Sequence, residues 1–120
     1  VNRTKSTNPE LVQLINFLRK QGREKNAAIW LDVARYLSKV RRQSVAVNLS
    51  RINRYTQKSD VVVVPGKILG AGSLDHSITV AAFDASERAK EKIAAAKAKY
   101  LSIPELVETN PKGSNIKIIR

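Results

Sequence analysis

The stretch VVVVPGKILGAG, residues 61–72, decides how this chain folds. Four β-branched residues in a row are too few for a helix of their own and read as a buried strand. Ile68-Leu69 reads as a second short apolar piece, so Pro65-Gly66-Lys67 becomes a tight turn between two strands, presenting Lys67. Gly70-Ala71-Gly72 opens a further turn through GAGSLDH. A strand followed by glycines and a lysine also begins many nucleotide sites, so the stretch raises the question of an enzyme.

It fails both nucleotide patterns. A P-loop needs G-x-x-x-x-G-K-[ST], so that amides cradle phosphate and a hydroxyl meets the magnesium ion. Here Gly66-Lys67 is followed by Ile68, and Val61 stands where the first glycine belongs. A dinucleotide fingerprint needs G-x-G-x-x-G opening a helix. Gly70 and Gly72 begin one, but Asp75 replaces the third glycine and strand-like sequence follows. The glycines read as turn residues.

Outward from this stretch the chain divides in two. Towards the N-terminus, VNRTKST (1–7) is a polar basic arm. Asn8-Pro9 starts a helix with Leu11, Leu14, Ile15 and Leu18 on one face, ended by Gly22. A second helix runs from about Ala27 to Leu37, with Asn26 as its cap and Ile29 or Trp30, Val33 and Leu37 inward. SKVRRQSV (38–45) reads as an exposed basic loop, and Val45 and Val47 alternate as in a short strand. From Asn48, Leu49, Ile52 and Tyr55 share one face of a short helix while Arg51 and Arg54 project together from another.

Towards the C-terminus, ITVAAF (78–83) is a third strand, and Ser86 caps a helix to about Ala98 with Ala89, Ile93 and Ala96 inward. Tyr100-Leu101 is a brief strand. Ser102 with Glu105 forms a capping box ahead of Leu106-Val107, NPKGS (110–114) is a turn, and Ile116–Ile119 is a last strand. The fold class is therefore α/β, with basic N-terminal helices packed on a compact domain of short mixed strands and helices. The domain reading is an arm at 1–7 and one domain at 8–120, with a basic helical part at 8–58 and an α/β part at 59–120.

Charge speaks more loudly than any motif. The 120 residues carry 22 Lys+Arg against 10 Asp+Glu, a net +12. Residues 1–59 hold 13 basic and 3 acidic side chains; residues 60–120 hold 9 and 7. A small chain so charged repels itself unless a polyanion lies on it. Nucleic acid is the leading partner, and a basic DNA-architectural protein is the alternative of another class. In the first half arginine exceeds lysine eight to five, and its planar fork suits phosphate. The candidate RNA-binding residues are Arg3 and Lys5 on the arm; Arg19, Lys20, Arg23 and Lys25 around the end of the first helix; Lys39, Arg41 and Arg42 on the loop; Arg51 and Arg54; and Lys67 beside the glycines.

The six aromatics, Phe17, Trp30, Tyr36, Tyr55, Phe83 and Tyr100, fall mostly on apolar faces and read as core. That pattern favours gripping folded RNA through phosphates and riboses over reading a single strand. No catalytic constellation is expected. His76 is the only histidine, and Asp75-His76-Ser77 are adjacent residues whose side chains diverge. With no cysteine and scattered acids, neither a metal nor a cofactor is expected. No apolar run spans a bilayer and no signal peptide is visible, so no membrane and no small-molecule substrate are expected. The chain begins at Val1, as a processed or trimmed start would.

Six pieces in order carry a resemblance: TNPEL (7–11), RR (41–42), VNLSRINRY (47–55), VVVVPGKILGAG (61–72), ITVAAF (78–83) and NPKGS (110–114). Together, from Thr7 to the end, they resemble the archaeal and eukaryotic large-ribosomal-subunit protein eighteen family, the "eighteen-e" family, related to the universal large-subunit protein fifteen. The length is similar to the archaeal form. The resemblance implies a non-enzymatic, cytoplasmic protein of the large ribosomal subunit. Its partners would be large-subunit ribosomal RNA and neighbouring ribosomal proteins. Arg41, Arg42, Asn48, Arg51, Arg54, Gly66, Lys67, Gly70 and Gly72 match the family's motif positions, and Lys112 of NPKGS joins the expected RNA contacts. Two departures stand out. Val40 replaces a proline before the arginine pair, and Asn115 replaces a glycine in a turn where Asn still tolerates left-handed backbone.

Overall fold

The computed structural model describes residues 9–38 and 46–120. The arm at 1–7, Asn8, and the loop residues 39–45 with their Lys39, Arg41 and Arg42 lie outside the described residues, as do Arg3 and Lys5.

Among the described residues ten elements follow in order: α1 (Pro9–Glu24), α2 (Ala28–Ser38), β1 (Ala46–Asn48), α3 (Leu49–Tyr55), β2 (Val61–Leu69), β3 (Thr79–Ala85), α4 (Glu87–Ala95), β4 (Lys99–Ser102), α5 (Ile103–Thr109) and β5 (Ile116–Ile118). The five strands are all parallel, in the order β1-β2-β3-β4. β5 pairs with Val61–Val63 and β1 with Lys67–Leu69, so the two short strands lie one after the other along the edge of β2 away from β3.

The run of valines now has its physical reason. Successive strand residues point to opposite faces, and both faces of this sheet are covered by helices. Val62, Val64 and Ile68 pack with Val80 and Ala82 of β3 against Leu49 and Ile52 of α3 and Ala89 and Ile93 of α4. Val63 and Ala81 point the other way, into a layer made by Leu14 and Leu18 of α1, Trp30, Val33 and Leu37 of α2, and Ile103, Leu106 and Val107 of α5. The basic N-terminal helices are thus one outer layer of a three-layer α/β/α body.

Four expectations are corrected. Pro65-Gly66 does not divide the stretch into two strands: β2 runs unbroken from Val61 to Leu69. Its register against β3 shifts between Val64 and Lys67, so Pro65 and Gly66 together face Phe83. A β-bulge there absorbs the missing proline N–H without ending the strand. Gly22 does not end α1. It is buried within the helix, where an added Cβ would lie 2.7 Å from Leu31 Cγ, so its role is to let α1 and α2 approach. The helix runs on to Glu24, and Asn26, with φ 55°, and the Ala27 N–H donating to the Gly22 carbonyl at 2.9 Å close it with a left-handed C-terminal turn. Asn26 is that turn residue and not a side-chain cap for α2. Finally, Tyr55 does not share the buried face of Leu49 and Ile52; it is 52% exposed, and Thr56 is buried instead.

The C-terminal capping expectations hold, although α4 ends at Ala95, short of the expected Ala98. Ser86 accepts from the Ala89 N–H, and Ser102 with Glu105 forms a reciprocal capping box. Asn115 adopts φ 60°, so the turn survives the absence of glycine there.

Candidate nucleic-acid interface

In a parallel sheet the carboxyl ends of the strands are where ligands gather, and the glycine loop sits there. Its chemistry is the reverse of a phosphate loop. A phosphate loop turns backbone N–H groups to its ligand. Here the carbonyls of Gly70 and Gly72 are turned to the Lys92 ammonium, which donates to them at 2.7 and 2.6 Å. The Ser50 N–H in the first turn of α3 donates to the Ala71 carbonyl at 3.1 Å. At the start of α4 the Ala89 N–H donates to Ser86 Oγ. An added Cβ on Gly70 would lie 2.9 Å from Arg88 Cβ, and one on Gly72, with φ 87°, would overlap Ser50. The glycines wedge the loop between two helix starts.

The loop's continuation locks α3 from its other end. Asn53 accepts from the Asp75 N–H at 3.1 Å and reaches the Asp75 carboxylate at 3.5 Å. Thr56 Oγ1 donates to the Ile52 carbonyl at 2.8 Å and contacts His76 Nε2 at 2.7 Å, while His76 Nδ1 meets Asp75 Oδ1 at 2.8 Å. His76 is therefore a part-buried structural tie, and its ring turns to the Asp75 carboxylate where divergence was expected. Its hydrogen bond, then that of Asn53, holds the Asp75 carboxyl below the usual value.

Fixed in this way, α3 projects Arg51 and Arg54 to solvent, both exposed. They belong to a longer strip that the fold assembles from distant parts of the chain. Arg51 Nε donates to the Arg120 carbonyl at 3.1 Å. The Arg120 guanidinium lies 4.3 Å from the centroid of the Tyr36 ring on α2, and Arg35 lies 5.3 Å from the same ring. At the other end, Arg51 and Arg54 lie 5.3 and 6.0 Å from the centroid of Tyr55. Lys117 of β5 reaches the Tyr55 carbonyl at 3.5 Å and pairs with Asp60 at 2.9 Å. That ammonium, then the Gln57 N–H, holds the Asp60 carboxyl below its usual value. The strip alternates arginine with tyrosine, and guanidinium stacked on a ring keeps its N–H edge free for an anion.

Of the expected cations, Arg51 and Arg54 stand in this strip, and Asn48 is half-buried at its base, at the start of α3. Arg19, Lys20, Arg23 and Lys25 are exposed on and after α1. Arg23 and Lys25 adjoin the start of α2, and Lys112 is exposed in a loop docked there: the Pro111 carbonyl accepts from Trp30 Nε1 at 2.7 Å. The strip meets α2 nearer its other end, at Arg35 and Tyr36, about 9 Å along the helix from Trp30. Lys67 is exposed mid-strand on β2, not on a turn, with Ala46 and Asp84 as strand neighbours. Reading the aromatics as core missed Tyr36, Tyr55, Arg35, Lys117 and Arg120. The available signal was the dipeptide Arg-Tyr, repeated at 35–36 and 54–55; nothing local announces Arg120. Among the described residues no cluster of acids and histidine fit to hold a metal ion occurs, and no helix is long and apolar enough to cross a membrane.

Known proteins add the comparison. The profile of the family "Ribosomal protein 60S L18 and 50S L18e" matches residues 1–120. The chain is 46% identical over 119 residues to the large ribosomal subunit protein eL18 of Methanothermobacter thermautotrophicus, covering 99% of this chain and 98% of that one. It is 49% identical over 114 residues to the protein of that name from Methanococcus maripaludis, with 95% of each chain covered. Against that of Methanospirillum hungatei it is 43% identical over 118 residues, covering 98% of each.

Proposed function

The chain belongs to the family of ribosomal protein 60S L18 and 50S L18e, and from that premise we propose that it is a non-catalytic structural constituent of the large ribosomal subunit. It works in the cytoplasm, binding and stabilising folded large-subunit ribosomal RNA beside other ribosomal proteins. The observation that carries the RNA-contact reading is the strip of Arg51, Arg54, Lys117 and Arg120, four cations from two separated stretches of chain gathered on one surface. Gathering like charges in water is unfavourable unless an anion neutralises them, and RNA phosphates occur at the needed density. Arg19, Lys20, Arg23, Lys25, Lys67 and Lys112 belong to the same reading as further phosphate contacts, together with Arg3, Lys5, Lys39, Arg41 and Arg42.

The test is Arg51→Gln with Arg54→Gln. Both side chains are exposed, so the fold stays intact. Binding to large-subunit ribosomal RNA weakens, and the slope of log affinity against log salt becomes shallower by about 1.5 for two lost phosphate contacts. Unchanged affinity and slope would remove these arginines from the interface, and equal binding of duplex DNA by the wild-type chain would favour a DNA-architectural protein.

A further inference from the structure

Phosphate binding asks nothing of an aromatic ring, yet α3 ends on one. Tyr55 is 52% exposed, although burial of Leu49 and Ile52 on the same helix shows that apolar cover was within reach. Its ring is also held in place. The Ser50–Ala71, Asn53–Asp75 and Thr56–His76 hydrogen bonds fix α3 along its length. The Arg51 and Arg54 guanidinium groups lie over the ring, 5.3 and 6.0 Å from its centroid. The other tyrosine of the strip differs: Tyr36 is half-buried and already carries the Arg120 guanidinium at 4.3 Å, so its role is to position that arginine.

A half-exposed ring with two guanidinium groups over it fits a ligand with one flat face and anionic flanks, the base displacing a guanidinium that then turns to phosphate. A nucleotide has that shape, but only an unpaired one has a face to offer, since bases within a duplex are covered by their stacked neighbours. We infer that α3 receives an unpaired nucleotide of the ribosomal RNA, its base stacked on Tyr55 and its flanking phosphates held by Arg51 and Arg54. This inference rests on the RNA-binding reading above and adds to it a recognised feature, a bulged or looped nucleotide in place of a featureless backbone.

Stacking and charge separate experimentally, because stacking releases no counterions. On large-subunit ribosomal RNA, Tyr55→Leu lowers affinity about tenfold while leaving the salt slope unchanged. Tyr55→Phe retains wild-type affinity, because the ring and not the hydroxyl does the stacking. In large subunits containing the chain, ultraviolet irradiation crosslinks the Tyr55 peptide to one nucleotide that is unpaired in the RNA secondary structure. Wild-type affinity in Tyr55→Leu overturns the inference, as does a crosslink to a base-paired nucleotide or to a neighbouring protein. In each of those outcomes the chain still binds RNA and the proposed function stands. A wild-type chain that binds no ribosomal RNA and enters no subunit ends both.

Discussion

At the scale of single residues, the glycine loop is built around Gly72 and Lys92. With φ 87° and Ser50 in the way of any Cβ, Gly72 meets two separate objections to a side chain. Gly72→Ala therefore destabilises the fold by about 2 kcal/mol, read from the urea midpoint. Lys92→Met removes the donor shared by two carbonyls. Because Lys92 is only partly buried, water replaces some of what is lost, and the loss is about 1 kcal/mol. Since both changes loosen one loop, the double variant should lose less than the sum of the two. Fully additive losses would show that Lys92 and Gly72 do not act on a common structure.

At the scale of elements, α5 begins with its capping box. The Ser102 N–H donates to Glu105 Oε1 at 2.8 Å, and the Glu105 N–H donates to Ser102 Oγ at 3.3 Å. Ser102→Ala should lower stability by about 1 kcal/mol. The same contacts hold the Glu105 carboxyl below its ordinary 4.5, the Ser102 N–H first and its hydroxyl second. Asp60 and Asp75 are likewise held below 3.8 by Lys117 and by His76. A carboxylate with a lowered folded value contributes its stability fully above the unfolded value and loses it as pH falls through the folded one. The urea midpoint should therefore hold steady with respect to these groups above about pH 5 and decline below about pH 4. A variant carrying Asp60→Asn, Asp75→Asn and Glu105→Gln should decline less steeply. An acid limb identical to wild type would mean that other groups set it.

At the scale of the whole molecule, the two outer layers share one sheet. Leu14, Leu18 and Trp30 of the basic helical part pack in one cluster with Val63, Ala81 and Ile103 of the α/β part. We propose that residues 8–120 are a single domain on that account, with no independently folding N-terminal half. Trp30 is the only tryptophan and is fully buried, so its fluorescence reports the helical layer while far-ultraviolet circular dichroism reports all of it. The two should change together in one urea transition. A tryptophan transition at lower urea would instead divide the chain near residue 58.

How much could be read from the chain alone depended on how local the physics was. Helix caps at Ser86 and Ser102, the buried valine run and the failure of both nucleotide patterns rest on neighbouring residues, so sequence sufficed for them. Net charge and its crowding into residues 1–59 are sums over sequence, and they pointed to a polyanion without any fold. Other features depended on partners far along the chain. Gly22 is inside a helix because Leu31 packs on it. Pro65-Gly66 is a bulge because β3 continues alongside. Tyr55 is exposed because α3 turns Leu49, Ile52 and then Thr56 inward. The stretch 61–72 therefore announced a buried strand by composition, while its parallel pairing came only with the fold and the meaning of Gly70 and Gly72 was settled by Lys92 and Ser50, some twenty residues away on either side. The interface followed the same division: sequence supplied the charge, and only packing brought Arg120 to Arg51 and Tyr36, across separations that no local pattern encodes.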